Sequence, residues 1–459
     1  MVHSEHPVAT AVTAEQISAR LERLPLSRWH VRTRVLVGVA TFFDGFDQLM
    51  IAYALPVLIP FFRLDPSMIA WTIAIGGIGM LVGALAGGWL ADRVGRVPVL
   101  VGSLLLYSLC SVAMAGTDVL WLFLLLRFIQ GFGLGAEVPV AATYIGEITR
   151  AHGRGRFVLV YELIFPAGLV ASAIVASWVV PTLGWRWLFA LGLLPIVLVP
   201  FLRRVPESPR WLASRGRMEE ADAATRRIEA EIAADKGALP EPAPGEIAPV
   251  VEGRVRVAEL FSGVYRRRTL MLAVAWLTAY FVNYGIAAWL PTIYRQVFRL
   301  DVSTALHYSI ATSVAGIVGC AIVAFTIDLV GRRIALSVGL AGSAAMLFIL
   351  ASTGAGDAGT VLIWSALSAM FIFAVNMALY VYTAELYPTR MRALGASVGG
   401  AFGRLGIVIG PVVVGRLIER GFSVAEVFSV LGAVAVVGCV TTALFAVETR
   451  ERTLEEISR

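Results

Sequence analysis

The sequence is poor in charged residues, and this deficit already limits the class of protein it can encode. Only 15% of its residues are charged, whereas soluble domains carry about 25%, and 58% of its residues are hydrophobic. A soluble protein of this composition would need a dozen helices without a polar face. The composition therefore predicts an all-α membrane protein.

Other scarce residues exclude further classes. All three cysteines lie in apolar runs, so neither a disulfide framework nor a metal cluster is indicated. The single lysine, Lys236, lacks the glycine-rich loop of an ATP site, and the glycines of 131–135 lie inside an apolar run, where they favour close helix packing. We expect neither an enzyme nor an ATP-driven pump, and no cofactor or metal.

Long apolar runs dominate the chain instead, and about 20 such residues cross the hydrocarbon of a bilayer. The sequence predicts twelve transmembrane helices in two six-helix halves, at about residues 34–60, 69–91, 97–117, 120–146, 157–180, 187–203, 269–294, 304–327, 334–353, 360–384, 394–418 and 424–446.

The two halves carry the same charged motifs. Residues 88–96 read Gly-Trp-Leu-Ala-Asp-Arg-Val-Gly-Arg, and 144–147 read Tyr-Ile-Gly-Glu. Related runs occur at 328–333 and 382–385, with nearly equal spacing between them. A duplicated six-helix unit is typical of transporters in which one half rocks against the other around a site at the midplane.

Basic residues predict the orientation and the domain division. Most of the 38 Lys and Arg lie in the N-terminal segment, the C-terminal tail and the even-numbered connections, which places both termini in the cytoplasm. The net charge of +6 is then explained by topology and contact with lipid, without nucleic acid. The predicted parts are a cytoplasmic N-terminal segment, a first six-helix half, a cytoplasmic central loop, a second half and a cytoplasmic tail: 1–33, 34–204, 205–268, 269–446 and 447–459. We interpret 205–235 as a latch between the halves and 237–250 as a linker.

The motifs resemble those of the major facilitator superfamily. Besides the runs above, Pro-Glu-Ser-Pro-Arg at 206–210 and Glu-Leu-Tyr-Pro-Thr-Arg-Met-Arg at 385–392 resemble the branch that joins sugar porters, organic-ion transporters and bacterial niacin transporters. Asp-Gly-Phe-Asp at 44–47 additionally resembles the aromatic-acid:proton symporters. The resemblance implies the major facilitator fold and a secondary transporter.

Ionisable groups inside spans are costly and mark candidate coupling sites. Asp44 and Asp47 lie about 15 and 20 Å along the first predicted span, on one face, and Arg127 lies at a similar depth in the fourth. An Asp47–Arg127 pair is therefore allowed, and the resemblance to sugar porters implies that it couples transport to protons. Glu137 is a further candidate. A static ion pair is the alternative for Asp47 and Arg127, and a structural acid for Glu137.

Arg404 is the candidate for substrate binding. It lies about 15 Å from the nearer end of its predicted span, and no acidic residue occupies the central part of the last six spans. Such an arginine can hold a carboxylate through two parallel hydrogen bonds. The alternatives are backbone carbonyls or a pair with Asp47. Aromatic and amide side chains complete the predicted pocket, although packing explains the aromatics equally well: Trp276, Tyr280, Asn283, Tyr284, Asn376 and Tyr380.

A third group of charged residues falls at the inner ends of the predicted spans. We predict that they form a cytoplasmic gate, with ion pairs between the halves in the outward-facing state only; fixed topology anchors are the alternative. They are Asp92, Arg93, Arg96, Glu147, Arg156, Glu207, Arg332, Arg333, Glu385 and Arg392.

The leading hypothesis is proton-coupled symport of a small, possibly aromatic, organic carboxylate by a monomer in a bacterial inner membrane. A sugar:proton symporter and a proton-antiport exporter of metabolites or drugs are the alternatives. The sequence leaves open the substrate, the direction of transport and the proton stoichiometry.

Overall fold

A computed structural model describes residues 12–149, 163–241, 257–387 and 389–450, and it gives no side-chain environment for residues 389, 390, 392 and 393. Within these ranges the chain is helical and contains no strand. Twelve of its helical segments are long and apolar enough to cross a membrane, which confirms the predicted all-α membrane fold.

The twelve spans are numbered here in chain order. They are span 1 (Arg28–Phe62), span 2 (Pro66–Val94), span 3 (Arg96–Ala115), span 4 (Leu120–Ile148), span 5 (Ile164–Thr182), span 6 (Trp185–Leu202), span 7 (Gly263–Gln296), span 8 (Val302–Val330), span 9 (Arg332–Ser352), span 10 (Ala358–Leu386), span 11 (Thr389–Glu419) and span 12 (Val424–Phe445). Among the described residues, four further helices lie outside the spans: Ala14–Glu22, Pro209–Ser214, Met218–Lys236 and Val257–Leu260.

Two spans that the sequence predicts as continuous are broken. Span 6 consists of helix Trp185–Leu191, a 3-10 turn at Leu194–Leu198 and helix Val199–Leu202. Span 7 ends its long helix at Ala287 and resumes at Leu290. A proline opens each resumed segment, because its ring fixes φ and removes the N–H that would continue the preceding helix.

Equivalent spans of the two sets of six begin in the same way. Asp65 caps span 2 by accepting the N–H of Met68 at 2.7 Å, and Asp301 caps span 8 by accepting that of Thr304 at 3.0 Å. Spans 2 and 8 end at Gly95 and Gly331, which have φ of 112° and 94°. We call the end of the bundle that holds these two glycines the motif end and the opposite one the far end.

Glycines bring spans 2 and 4 into backbone contact. A Cβ placed on Gly83 would lie 2.0 Å from the carbonyl oxygen of Phe132, and one on Gly131 would lie 2.1 Å from that of Gly76. Lipid offers no hydrophobic driving force between helices, so such contacts depend on small residues. The predicted packing role of the glycines in span 4 is therefore confirmed.

The segment that follows span 6 folds onto the N-terminal part of the chain. Arg20 in helix Ala14–Glu22 pairs with Asp222 at 2.6 Å and with Glu229 at 2.5 Å, both in helix Met218–Lys236. This hydrogen bond from Arg20 lowers the pKa of Asp222. Trp211 donates its indole N–H to the carbonyl of Asp92 at 2.9 Å. The contacts of the described segment thus tie it to the N-terminal helix and the first six spans, so the predicted latch between halves is wrong for this conformation.

Close contact between spans 2 and 4 makes Gly83 sensitive to a single methyl group. We expect Gly83→Ala to lower the midpoint of thermal unfolding in detergent, with a cost of about 1–3 kcal/mol, because the two backbones must separate. Gly102 in span 3 is the matched control, since a Cβ there meets nothing within 4 Å. Equal midpoints for Gly83→Ala and Gly102→Ala would contradict the packing argument.

Candidate functional site

A central cavity lies between spans 1, 2, 4 and 5 on one side and spans 7, 8, 10 and 11 on the other. The seven residues predicted to bind substrate all line it: Trp276, Tyr280, Asn283, Tyr284, Asn376, Tyr380 and Arg404. Thr41, Gln48 and Val138 face them from the first six spans. The cavity is therefore aromatic and cationic on one wall.

Three aromatic rings of span 7 form that wall. Trp276, Tyr280 and Tyr284 are four residues apart and share one helix face. The first two rings stack at 5.3 Å and 24°, and the next pair stacks at 6.0 Å and 11°. From span 10, Tyr380 packs edge-on against Trp276 at 4.9 Å, and its hydroxyl lies 3.2 Å from that of Tyr280. The result is an extended flat surface with hydroxyl groups at its edge.

Arg404 lies beside this wall with its charge largely uncompensated. Its NH1 donates to the carbonyl of Gly400 at 3.3 Å, while its buried Nε has no hydrogen-bond partner in the described chain. The Oδ1 of Asn376 is likewise buried without a partner. Gly403 allows span 11 to come close to Trp276 on span 7, because a Cβ on Gly403 would lie 2.8 Å from the Trp276 ring. The hydrogen bond to Gly400 is a contact with a backbone carbonyl, which is one of the alternatives to substrate binding given above. It leaves part of the Arg404 guanidinium without a partner among the described residues.

Three carboxyl groups are buried within the first six spans, on the other side of the cavity from Arg404, although none of them lines it. Asp44, Asp47 and Glu137 are at most 2% exposed, and none of their oxygens accepts a hydrogen bond from the described residues. The carboxyls of Asp44 on span 1 and Glu137 on span 4 are neighbours that interact electrostatically. The hydroxyl of Tyr107 on span 3 approaches Glu137. Tyr107 was not predicted as a site residue, since nothing in an apolar span shows which way a tyrosine faces.

Arg127 lies near Asp47 without pairing with it. Its NH1 donates to Oε1 of Gln130 at 2.5 Å, and its NH2 is 3.5 Å from the carbonyl of Gln48. Asp47 interacts with it through space only. The Asp47–Arg127 ion pair that depth allowed, and that the resemblance to sugar porters implied, is therefore not formed in this conformation.

At the motif end, Arg96 is fully engaged by acids of the first six spans. It pairs with Asp92 at 2.8 Å and with Glu147 at 2.9 Å. Glu207 accepts the backbone N–H groups of Arg96 and Val97, each at 3.1 Å, and so caps span 3. Burial raises the pKa of Glu207 although these N–H groups oppose the shift.

The last six spans repeat this arrangement. Arg332 pairs with Asp328 at 2.8 Å and with Glu385 at 2.7 Å. Glu448 accepts the N–H groups of Arg332 and Arg333 at 2.9 and 3.0 Å and caps span 9 as Glu207 caps span 3. Glu448 was not predicted as a gate residue, because the Pro-Glu-Ser-Pro-Arg motif around Glu207 does not recur in full after span 12.

The predicted gate residues thus divide into two clusters, one in each set of six spans. Arg93 stacks on Trp89 at 3.9 Å, and Arg333 donates to the carbonyl of Ala443 at 3.2 Å. Arg156 lies outside the described residues, as does the side chain of Arg392. The described ion pairs lie within each set, so pairing between the sets stays a prediction for the opposite conformation.

The two walls of the cavity contact each other in the region between the cavity and the far end of the bundle. The hydroxyl of Tyr53 on span 1 is 3.4 Å from that of Ser313 on span 8. Near the far end, Gly415 on span 11 lies so close to Ala70 on span 2 that a Cβ on Gly415 would be 2.5 Å from that of Ala70. The two walls are therefore packed together on the far side of the cavity.

Comparison with known proteins agrees with this architecture. Residues 35–459 match the family described as "Sugar (and other) transporter". The chain is 33% identical to the niacin transporter NiaP of Acinetobacter baylyi, over 96% of this chain and 99% of that one. It is 30% identical to the 4-hydroxybenzoate transporter PcaK of Pseudomonas aeruginosa, over 93% of this chain and 94% of that one.

A solved structure shares the fold. The partially occluded, inward-open xylose transporter XylE of E. coli superposes with a TM-score of 0.72 at 20% identity, over 93% of this chain and all of that one. Twelve spans, two equivalent motif clusters and the match over residues 35–459 lead to one conclusion: the chain belongs to the sugar (and other) transporter family and is a multi-pass membrane transporter with the major facilitator fold.

Proposed function

We propose that this protein carries a small aromatic carboxylate across the membrane together with protons. The observation that carries the proposal is Arg404, a buried cation whose Nε has no described partner, placed beside stacked aromatic rings. Two relatives are named for niacin and 4-hydroxybenzoate, which are both aromatic carboxylates, and a third for gallate. A neutral sugar would leave the charge of Arg404 uncompensated.

The geometry suggests how such a substrate would bind. Its carboxylate would accept hydrogen bonds from the Arg404 guanidinium, and the amide of Asn376 offers a further polar contact. Its ring would lie against the wall formed by Trp276, Tyr280 and Tyr284, where offset or edge-on contact with aromatic rings is favourable. The cavity is mainly apolar with a few polar groups that fix orientation, as is usual for sites of small molecules.

Coupling is assigned to the three buried carboxyl groups of the first six spans. Asp44 and Glu137 would hold one proton between them, since a protonated carboxyl can donate to its ionised neighbour, and the Tyr107 hydroxyl lies beside Glu137. Asp47 would pair with Arg127 in the opposite conformation, which requires Arg127 to leave Gln130. A rocking motion that makes and breaks these contacts would change where a proton is held, and so couple protons to transport.

Orientation and surroundings follow from the distribution of charge. We place the motif end and both termini in the cytoplasm, because basic residues concentrate there. The motif clusters would act as the gate at this end, and the inner membrane of a bacterium fits the two closely matching relatives. We propose a monomer, since the cavity lies within a single chain.

Replacing Arg404 tests the charge of the substrate. Arg404→Ala should weaken binding of nicotinate or benzoate by about 2–5 kcal/mol, or roughly 30- to 5,000-fold, and Arg404→Lys should weaken it less. Binding to purified protein is measured for each acid, for the matching amide and for xylose. The amides are the control, because they keep the ring and lack the charge. Equal losses for acid and amide, or tight binding of xylose alone, would contradict the proposal.

Neutral replacements of the facing carboxyls test coupling. Asp44→Asn and Glu137→Gln should each abolish accumulation against a gradient in vesicles while exchange of labelled for unlabelled substrate persists. The double variant should be no worse than either single one, because the pair acts as a unit. Asp118→Asn at the far end, where Asp118 pairs with Arg186, is the control. Retained pH-driven accumulation in both single variants would remove the pair from the mechanism.

Weakening a motif cluster tests the gate. Glu385→Gln removes the charge that pairs with Arg332, and we expect a shift towards the conformation that is open at the motif end. A thiol reagent would report it by labelling Val138→Cys, in the cavity, in a chain without its three native cysteines. Glu419→Gln, which breaks an ion pair at the far end, should leave labelling unchanged. Unchanged labelling in Glu385→Gln would favour a fixed anchor.

A further inference from the structure

A second concavity, separate from the central cavity, opens at the motif end beside span 1. It encloses about 940 Å³ between the first turns of span 1, the end of span 6 and helix Met218–Lys236. We call it the basic groove, because Arg28, Arg32, Arg204, Arg227 and Lys236 line it together with two acids, Glu231 and Asp235. Neither the substrate nor the coupling mechanism proposed above uses these residues.

The groove lies where the apolar part of the protein gives way to the charged part. Span 1 has 35 residues, about 52 Å of helix, whereas the hydrocarbon core is about 30 Å thick. The first turns of span 1 therefore reach the headgroup level. Val31, Val35 and Phe201 line the groove and are 46%, 53% and 46% exposed, so its floor is apolar and open at its side.

The charges of the groove are not balanced among themselves. The Asp235 carboxylate lies 3.3 Å from the side chain of Arg28 and accepts the backbone N–H of Arg28 at 3.0 Å. Glu231 lies 3.7 Å from Arg227. That leaves the side chains of Arg32, Arg204 and Lys236 without a partner among the described residues, although the backbone carbonyl of Arg204 accepts a hydrogen bond from Arg227. Three cations around an apolar floor at headgroup level suit an anion that carries hydrocarbon.

We propose that the basic groove binds an anionic glycerophospholipid from the bilayer. Its phosphate would lie among Arg32, Arg204 and Lys236, and an acyl chain would follow Val31, Val35 and Phe201 into the hydrocarbon. Clusters of Lys and Arg beside a transmembrane helix attract anionic headgroups in this way. The bound lipid would join span 1 to helix Met218–Lys236. The proposal requires only that the chain spans a membrane, and it does not depend on which substrate is carried.

Lipid titration of the purified full chain tests the proposal. Phosphatidylglycerol and phosphatidylcholine with the same acyl chains are added in detergent, and bound lipid is counted by native mass spectrometry. The wild-type protein should bind phosphatidylglycerol more tightly. Arg32→Gln/Arg204→Gln should weaken that binding about 30-fold, or about 2 kcal/mol for two interfacial charges. Arg266→Gln/Arg420→Gln changes the net charge equally, lies outside the groove and should retain binding.

Several results would overturn the proposal. Equal binding of the two lipids to wild-type protein would do so without any variant, and so would equal weakening by both double variants. Displacement of the lipid by millimolar inorganic phosphate would mean that the groove binds the phosphate group alone and does not recognise the lipid. If the lipid bound only after Glu246→Gln/Glu252→Gln in the segment between the described ranges, then that segment of the chain would be the occupant.

Discussion

The cost of an unpaired charge inside a membrane governs how this molecule is built. An ionised side chain in hydrocarbon must find a partner, a polar cavity or the interface. At the motif end these charged side chains have partners. Arg96 and Arg332 each pair with two carboxylates, and Glu207 and Glu448 accept backbone N–H groups. Around the central cavity this is not so, since Arg404 and three carboxyl groups keep atoms without a partner among the described residues. On the proposed function, these exceptions are the groups that bind the substrate carboxylate and the protons.

Backbone contact through glycine is what holds those exceptions in place. A Cβ on Gly76 would lie 2.8 Å from the Nε of Arg127, so only glycine leaves space for that guanidinium between spans 2 and 4. Gly45 similarly allows span 1 to meet the backbone of Phe165 on span 5, and it sits between Asp44 and Asp47. Packing density and functional charge therefore depend on the same short segments of sequence.

The position of a residue along a span could be predicted from the sequence, but the direction in which its side chain points around the helix axis could not. Hydropathy located the twelve spans. Counting residues from their ends gave Arg127, Asp47 and Arg404 their predicted depths. Whether two groups at one level touch depends on helix rotation and tilt, which packing decides. For this reason Arg127 was expected to pair with Asp47 and instead binds Gln130, and the contact between Asp44 and Glu137 was not foreseen. The partners of Arg20 in the central loop could not be predicted either, because no periodicity links segments that lie so far apart in the sequence.

The division of charge between the two sets of six spans gives a physical reason for coupling. The first six spans bury Asp44, Asp47 and Glu137, and the two buried arginines can balance only two ionised carboxyls. On the proposed function, a carboxylate that binds Arg404 uses one of those two positive charges for itself. The carboxyl groups opposite must then lose charge, and taking up protons is the only way in which buried acids can do so. An anion and its protons would accordingly enter together, because either alone would leave the cavity with a charge that the bilayer does not tolerate.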